Sequence, residues 1–353
     1  MSPRRRRLAA LLGLSVLFAG ACDREGTGPA ELVIVPYGAS FAEVTDSLDA
    51  HGLVGFAPAF RLYAKLKDAE HVAKAGTYRF RQGVGWDRVL DDLRAGRVVT
   101  QRLTLPEAWS VWQAAPRIAN IASVPADSVL AILTDTASAV RLEVPGPTLE
   151  GYLYPATYTF PLRVPLDSVL EKLLATYRRV WTPARRALAD SAGLSEREVV
   201  TLASIVEKEA RVRSEMPRIA SVYLNRLERG MLLQADPTVQ YALGEHQQRL
   251  LYAHIDSVAE DPYNTYRHPG LPPGPIASPS ALAIDAVLRP DTTDFLYFVA
   301  APDGSHIFTR SLLEHNRAKL RVQRAAERSG AAAPDSLDRD SAGAPARPDG
   351  GAR

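Results

Sequence analysis

Val199-Val-Thr-Leu-Ala-Ser-Ile-Val-Glu-Lys-Glu-Ala-Arg-Val-Arg213 is the stretch from which the rest of the chain can be read. Ser195 lies just upstream and Glu198 follows it by three positions. This is the capping-box pattern, in which a hydroxyl and a carboxylate satisfy orphan backbone N–H groups at a helix start. Val199, Leu202, Ala203, Val206 and Ala210 recur at helical spacing and predict one apolar stripe. At about 100° per residue, Glu207 falls on one flank of that stripe and Glu209 on the other, about 160° apart, so the two do not easily serve one site. A carboxylate at the rim of an apolar face loses hydration, its pKa rises, and it holds a proton near neutral pH, as a general acid must. The same spacing also allows plain surface pairing, Glu207 with Arg211 and Glu209 with Arg213.

Downstream, Glu215–Arg229 reads as a helix with Ile219, Val222, Tyr223 and Leu227 inward and Gly230 closing it. Asn225 and Arg226 lie off the stripe's centre, and an arginine there suits a carboxylate or a peptide acid group. Met231–Gln234 reads as a short strand. Asp236 before Pro237 reads as an N-cap with proline at the first helical position, opening a helix to Leu243 that stops at Gly244. Gln234 and Thr238 flank that turn. Residues 261–279 form a proline-rich segment with little regular structure, and such loops in a compact domain are functional or disordered. Tyr263, Asn264, Thr265 and Tyr266 supply the amides and aromatics a saccharide site uses, and proline reduces the entropy lost on binding. Ser280 caps a helix to Leu288. Phe295–Val299 and His306–Thr309 read as a hairpin around Asp303-Gly304, with His315 and Asn316 on a final helix.

Upstream, residues 31–105 alternate strand and helix signals. Leu32–Val35, Gly76–Phe80 and Arg97–Leu105 read as strands; Phe41–His51, Pro58–Leu66 and Trp86–Leu93 read as helices, the last ended by Gly96. That mixture predicts a small α+β unit. In residues 106–190, Pro106–Ala119 and Asp127–Ile132 read as short helices whose Trp109 and Trp112 suit a core more than a sugar platform, and Ser168–Val180 as a further helix. Leu149-Glu-Gly-Tyr-Leu-Tyr-Pro155 places Glu150 and Tyr152 beside a glycine. Tyrosines there either pack on sugar faces or join a core, and Glu150 is a candidate second carboxylate.

Several of these segments together resemble one family. Leu202-Ala-Ser-Ile-Val-Glu-Lys-Glu209, Ser221-Val-Tyr-Leu-Asn-Arg-Leu227, Leu233-Gln-Ala-Asp-Pro-Thr-Val239, Tyr263-Asn-Thr-Tyr266 and Gly270-Leu-Pro-Pro-Gly274 stand in the order found in the YceG-like family of endolytic murein transglycosylases. Ala75–Phe80 and Glu150–Pro155 match as well, and the resemblance runs from about 31 to about 320. It implies a LysM-like α+β subdomain over 31–105, a connecting helical region over 106–190, and a mixed α/β catalytic domain over 191–320. It also implies an enzyme that cuts nascent peptidoglycan strands between MurNAc and GlcNAc, leaving 1,6-anhydro ends. Glu207 is expected to be the acid/base and Glu209 to support the helix. The expected substrate contacts come from Glu150, Tyr152, Asn225, Arg226, Gln234, Asp236, Thr238, Tyr263, Asn264, Thr265 and Tyr266. Two rival readings stand beside it: a lysozyme-type hydrolase using Glu207 with Glu150 or Asp236, and a non-catalytic peptidoglycan adaptor.

The 353 residues carry a net charge of +2, which gives no argument for nucleic acid. No zinc, Walker or dinucleotide motif appears, and no cofactor or metal is expected. Arg4–Arg7 followed by the apolar run Leu8–Ala21 has the layout of a signal h-region and is short for a membrane span. The single cysteine, Cys22, follows Ala19-Gly-Ala21, a pattern close to a lipobox. Residues 1–22 are therefore either a lipoprotein signal or an uncleaved anchor, and 23–30 a tether. Either way the body faces the periplasm from the bacterial cytoplasmic membrane, where peptidoglycan synthases are expected partners. Residues 321–353, rich in Ala, Arg, Asp, Gly, Pro and Ser, read as a disordered tail.

Overall fold

A computed structural model describes residues 24–244, 247 and 250–329; the signal or anchor segment 1–22 with Cys22, and everything from residue 330, lie outside the described residues. In Ala30–Val35 (β1), alternation turns Val33 and Val35 into a core and leaves Leu32 and Ile34 to solvent. Helices α1 (Phe41–Ala50) and α2 (Ala57–Leu66) follow, α1 opened by a capping box between Ser40 and Glu43. The chain then returns as β2 (Gly76–Arg81), antiparallel to β1 with Ala30 opposite Arg81 and Val35 opposite Gly76. Helix α3 (Trp86–Ala95) ends on Gly96, whose φ of 72° is the left-handed cap that glycine adopts without strain. Phe60, fully buried, sits between the rings of Phe41 and Trp86 at 6.1 and 5.6 Å. Strand β3 (Thr100–Leu105) pairs with β4 (Ala156–Pro161). These segments make the first of two compact units, which takes in the chain to Leu103 with Ala119–Ser123 and Thr157–Val169.

The second unit is mainly helical. It contains most of α4 (Val111–Ala122), α5 (Ala126–Thr134), α6 (Thr136–Arg141), most of α7 (Leu166–Val180), α8 (Pro183–Ala192) and α9 (Glu196–Glu209). A one-turn 3₁₀ helix at Arg213–Glu215 leads into α10 (Met216–Glu228), α11 (Asp236–Leu243), α12 (Tyr252–Ser257) and α13 (Ala281–Leu288). The antiparallel hairpin β5 (Tyr297–Ala300) and β6 (His306–Thr309) precedes α14 (Leu312–Ser329). The fold is mixed α+β with small two-stranded sheets.

Helix α9 is the axis of this unit. The Ser195–Glu198 capping box forms as its sequence predicts. The single apolar stripe does not, because every residue from Val199 to Val206 is buried. Helices α8, α10, α11 and α13 all pack against it, so even Thr201 and Ser204 turn inward. A helix covered on all sides needs no polar face. Its first turn, Glu196 to Glu198, and its last, Glu207 to Glu209, keep some exposure, and the last carries its two glutamates in two directions. The surface pairs with Arg211 and Arg213 do not form; Arg213 instead pairs with Glu107.

Other differences have local causes. Met231–Gln234 is not a strand: the Met231 amide donates to the Arg226 carbonyl, and Gln234, at φ 49°, turns left-handed while donating to the Thr265 carbonyl. β5 begins at Tyr297 rather than Phe295, because the Phe295 and Leu296 carbonyls accept from Asn225 and Arg226 side chains. Helix α14 keeps regular structure to Ser329, beyond the point at 321 where composition predicts a disordered tail. Helices α6, α8 and α12 are short elements that the apolar pattern did not announce.

Candidate active site

Glu209 closes α9 and enters a cleft of about 390 Å³. Asp236, Gln234 and Tyr266 line the same cleft, with His306 and Lys319 opposite in the chain's last hairpin and helix. The Tyr223 hydroxyl donates to Glu209 Oε1 at 2.8 Å. Burial pushes the Glu209 carboxyl up to about 7, and the nearby Asp236 charge pushes the same way, against the opposing pull of the Tyr223 hydrogen bond and the Arg226 guanidinium. The carboxyl therefore straddles protonation at neutral pH, with space in front of it.

Glu207 is differently placed. Its Oε2 accepts from the Ser280 amide at 2.9 Å and the Ser280 hydroxyl at 2.5 Å. Ser280 in turn accepts from the Ala283 amide at 3.2 Å, so Glu207 anchors the N-cap of α13. Glu207 is thus engaged by a neighbouring helix start, and Glu209 is the carboxylate brought to the open space. The reason is the direction of each flank. Glu207 faces a helix start that packs on α9, and Glu209 faces the gap beside α10 and α11.

The remaining candidates divide in the same way. Asp236 is the first residue of α11 rather than its cap, which is Ala235; its carboxylate accepts the Tyr266 hydroxyl and lines the cleft. Gln234 also lines the cleft. Arg226 donates to the Leu296 and Leu233 carbonyls at 2.7 and 2.6 Å and lies 5.1 Å from the Tyr297 ring centroid. It serves as a clamp whose charge still reaches Glu209. Asn225 donates its amide to the Thr293 and Phe295 carbonyls, which makes it a tie between α10 and the β5 approach rather than a ligand contact. Thr238 and Thr265 bond each other at 2.8 Å inside the unit, and Asn264, fully buried, ties the Ile255 and Val258 carbonyls. These side chains shape the loop and do not present themselves to a ligand. Tyr152 is buried edge-on against Tyr177 at 5.2 Å, a core residue.

Glu150 is 1 % exposed. It accepts from the Val111 and Gly151 amides at 3.0 and 3.2 Å, and nearby Tyr241 and Lys208 also favour its charged form. Burial outweighs these donors and pushes its carboxyl up to about 8. Gly151, at φ 84°, is required here: a Cβ would lie 2.4 Å from Pro275 Cβ and 3.2 Å from Val200 Cγ1. Pattern reading missed Tyr223, whose apolar spacing hid its polar tip, and the contact of His306 Nδ1 with Glu215 Oε2 at 2.7 Å at the cleft wall. Among the described residues no group of three His, Cys, Asp or Glu side chains is placed to hold a metal ion.

A carboxylic acid poised near neutrality, opposed by a second carboxylate and steadied by a tyrosine and an arginine in an open cleft, is the equipment of an acid–base catalyst. The YceG-like family profile matches residues 33–321, and the chain belongs to that family. It is 33 % identical over 302 residues to an endolytic murein transglycosylase of Bacillus subtilis, covering 81 % of this chain and 82 % of that protein. It is 31 % identical over 313 residues to an endolytic murein transglycosylase of Streptococcus pneumoniae, covering 80 % of this chain but only 56 % of that one. The crystal structure of the YceG-like protein lmo1499 from Listeria monocytogenes superposes with a TM-score of 0.55 at 32 % identity, covering 83 % of this chain and all of that one.

Proposed function

We propose that this protein is an endolytic peptidoglycan lytic transglycosylase whose acid/base is Glu209. The observation that carries the residue assignment is the Glu209 carboxyl standing at the cleft with its pKa raised to about 7, while Glu207 is engaged by Ser280. With Tyr223 on Oε1, the proton resides on Oε2 and passes to the glycosidic oxygen between MurNAc and GlcNAc. The bond from that oxygen to the MurNAc C1 breaks and the GlcNAc 4-hydroxyl is released. The carboxylate, stabilised by Arg226, then takes the proton of the C6 hydroxyl of the same MurNAc, whose oxygen closes on C1. No water is consumed, and the intramolecular attack benefits from proximity. A single acid suffices, unlike the carboxylate pair of hydrolytic glycosidases.

The strand–helix–helix–strand order of β1, α1, α2 and β2 supports a LysM-like role for the first unit, as a glycan-holding or spacing element. Among the described residues no helix is long and apolar enough to cross a membrane. Attachment to the cytoplasmic membrane, with the cleft on the periplasmic side and synthases nearby, rests on the Arg4–Cys22 sequence pattern and the substrate's location.

The test is mass spectrometry of uncross-linked glycan digested by the full chain and by its Glu209→Gln and Glu207→Gln variants. Anhydro-MurNAc ends are expected from the wild type and Glu207→Gln and not from Glu209→Gln. Reducing ends from the wild type would replace the transglycosylase by a hydrolase. Loss of cutting in Glu207→Gln alone would return the acid to Glu207.

A further inference from the structure

Glu215, the last residue of the 3₁₀ turn before α10, engages His306 with both carboxylate oxygens. Its Oε1 accepts the His306 backbone amide at 3.1 Å, and its Oε2 lies 2.7 Å from the ring Nδ1. The imidazole is only 3 % exposed, so the ring is held in one orientation. An ionised carboxylate can only accept, so the ring hydrogen sits on Nδ1, and Nε2 of the neutral imidazole is left as an acceptor. Among the described residues no protein group bonds Nε2. His306 lines the same cleft as Glu209. Packing fixes its place relative to that acid. Its ring meets Phe298 edge-on at 5.3 Å, Phe298 meets Tyr223 edge-on at 5.8 Å, and Tyr223 donates to Glu209.

We infer that His306 is a further substrate contact of the cleft, its Nε2 accepting a hydroxyl of the glycan unit beside Glu209, with Glu215 as its positioning residue. The inference rests on the proposed glycan substrate and deepens it. The chemistry of the contact follows from the tautomer. An acceptor withdrawn from water is compensated only by a donor, and a pyranose supplies hydroxyl donors. The carboxylate behind the ring raises the basicity of the far nitrogen and fixes its direction, as it does for carboxylate-backed histidines at metal sites. Arg226, also in the lining, is committed to the Leu296 and Leu233 carbonyls and offers no such acceptor. A bracket that merely tied the 3₁₀ turn to β6 would need Nδ1 and the backbone amide alone. It would give no reason for a second ring nitrogen at the cleft wall.

The test uses the full chain in detergent, carrying Glu209→Gln so that binding is read without turnover, with uncross-linked glycan strands as the probe. Adding His306→Asn keeps an amide N–H where Nδ1–H stands and removes Nε2. It is expected to weaken glycan binding about tenfold, the worth of about one hydrogen bond, with the unfolding midpoint held. Glu215→Gln leaves the histidine in place but donates to Nδ1, which moves the ring hydrogen to Nε2 and turns the acceptor into a donor. It is expected to weaken binding by about threefold or more. His306→Gln reaches the Nε2 position but gives up the bond to Glu215, so it should lower the midpoint yet keep more affinity than His306→Asn. A bracket with no ligand role reverses that order. Affinity equal to that of Glu209→Gln alone, in His306→Asn or in Glu215→Gln, overturns the contact; if one of them does not fold, the other decides. Should neither fold, the nitrogen NMR signal of Nε2 in the Glu209→Gln chain decides, moving on addition of glycan if the contact exists and staying fixed if it does not. The two readings separate. His306-dependent binding with no anhydro ends from the wild type would sink the transglycosylase and keep the contact; anhydro ends with His306-indifferent binding would do the reverse.

Discussion

Two glutamates of the second unit are driven toward the neutral acid by burial, Glu209 to about 7 and Glu150 to about 8, yet they do different work. Glu150 is enclosed. Backbone amides occupy it, and it is 1 % exposed. Glu209 receives the Tyr223 hydroxyl on one oxygen and stands at a cleft with Asp236 across from it. A raised pKa is therefore not itself a mark of catalysis. Access to open space distinguishes the two, and Glu207, two residues from Glu209, is engaged by Ser280 at the start of α13.

The largest expected effect separates Glu209 from its neighbour. Glu209→Gln should lower cleavage by about 10²–10⁴, the usual worth of a general acid, measured as anhydro ends per unit time. Melting behaviour near neutral pH should hold, since glutamine keeps an acceptor for Tyr223. A comparable loss in Glu207→Gln would undo the contrast.

Next comes pH. Cleavage needs the protonated acid, so its rate should fall about tenfold per unit as pH rises beyond about 7. Stability follows the same proton. Native Glu209 binds it more tightly than an unfolded glutamate at the ordinary 4.5, so the native state holds more protons between 4.5 and about 7. Stability contributed by this group is complete below 4.5 and is lost as pH rises through about 7. Thermal unfolding of Glu209→Gln across that range should lack this slope; an identical slope in both proteins would place the titration elsewhere.

Asp236→Asn probes the opposing carboxylate. Removing its charge takes away one cause of the upward shift, so the alkaline limb of the rate profile should move to lower pH by roughly half a unit to one unit. Asparagine still accepts from Tyr266, which keeps the start of α11 in place. A limb that stays fixed would show that Asp236 does not act on Glu209 through charge.

The smallest effect is structural. Glu207→Ala leaves the Ser280 amide and hydroxyl without their acceptor and should cost about 1–3 kcal/mol in denaturant unfolding. Cleavage per folded molecule should stay within about twofold of wild type. If activity fell in step with nothing but folding, the bracing role would stand; a catalytic loss without destabilisation would refute it.

Much of the second unit was readable before any coordinates. The Ser195 capping box, the helix after Pro237 and its stop at Gly244, the Ser280 cap and the hairpin at Asp303-Gly304 all form, because caps and turns are decided by a few adjacent residues. The opposite flanks of Glu207 and Glu209 were also legible, since helical geometry alone sets that angle. What each flank meets was not. Ser280, 73 positions away, claims Glu207, and Tyr223 and Asp236 claim the surroundings of Glu209. Asn225, Asn264 and Thr265 look like ligand groups in a string of letters, but their polar atoms satisfy buried carbonyls and hydroxyls of the loops around them.

Sequence alone thus determined the family pattern, several helix caps and the pair of divergent glutamates, all matters of local spacing. Tertiary structure alone decided that Glu209 faces open space, that Glu207 is engaged by Ser280 and that Glu150 is enclosed. Desolvation, like-charge repulsion and access to open space are set by partners that the chain brings together only when folded.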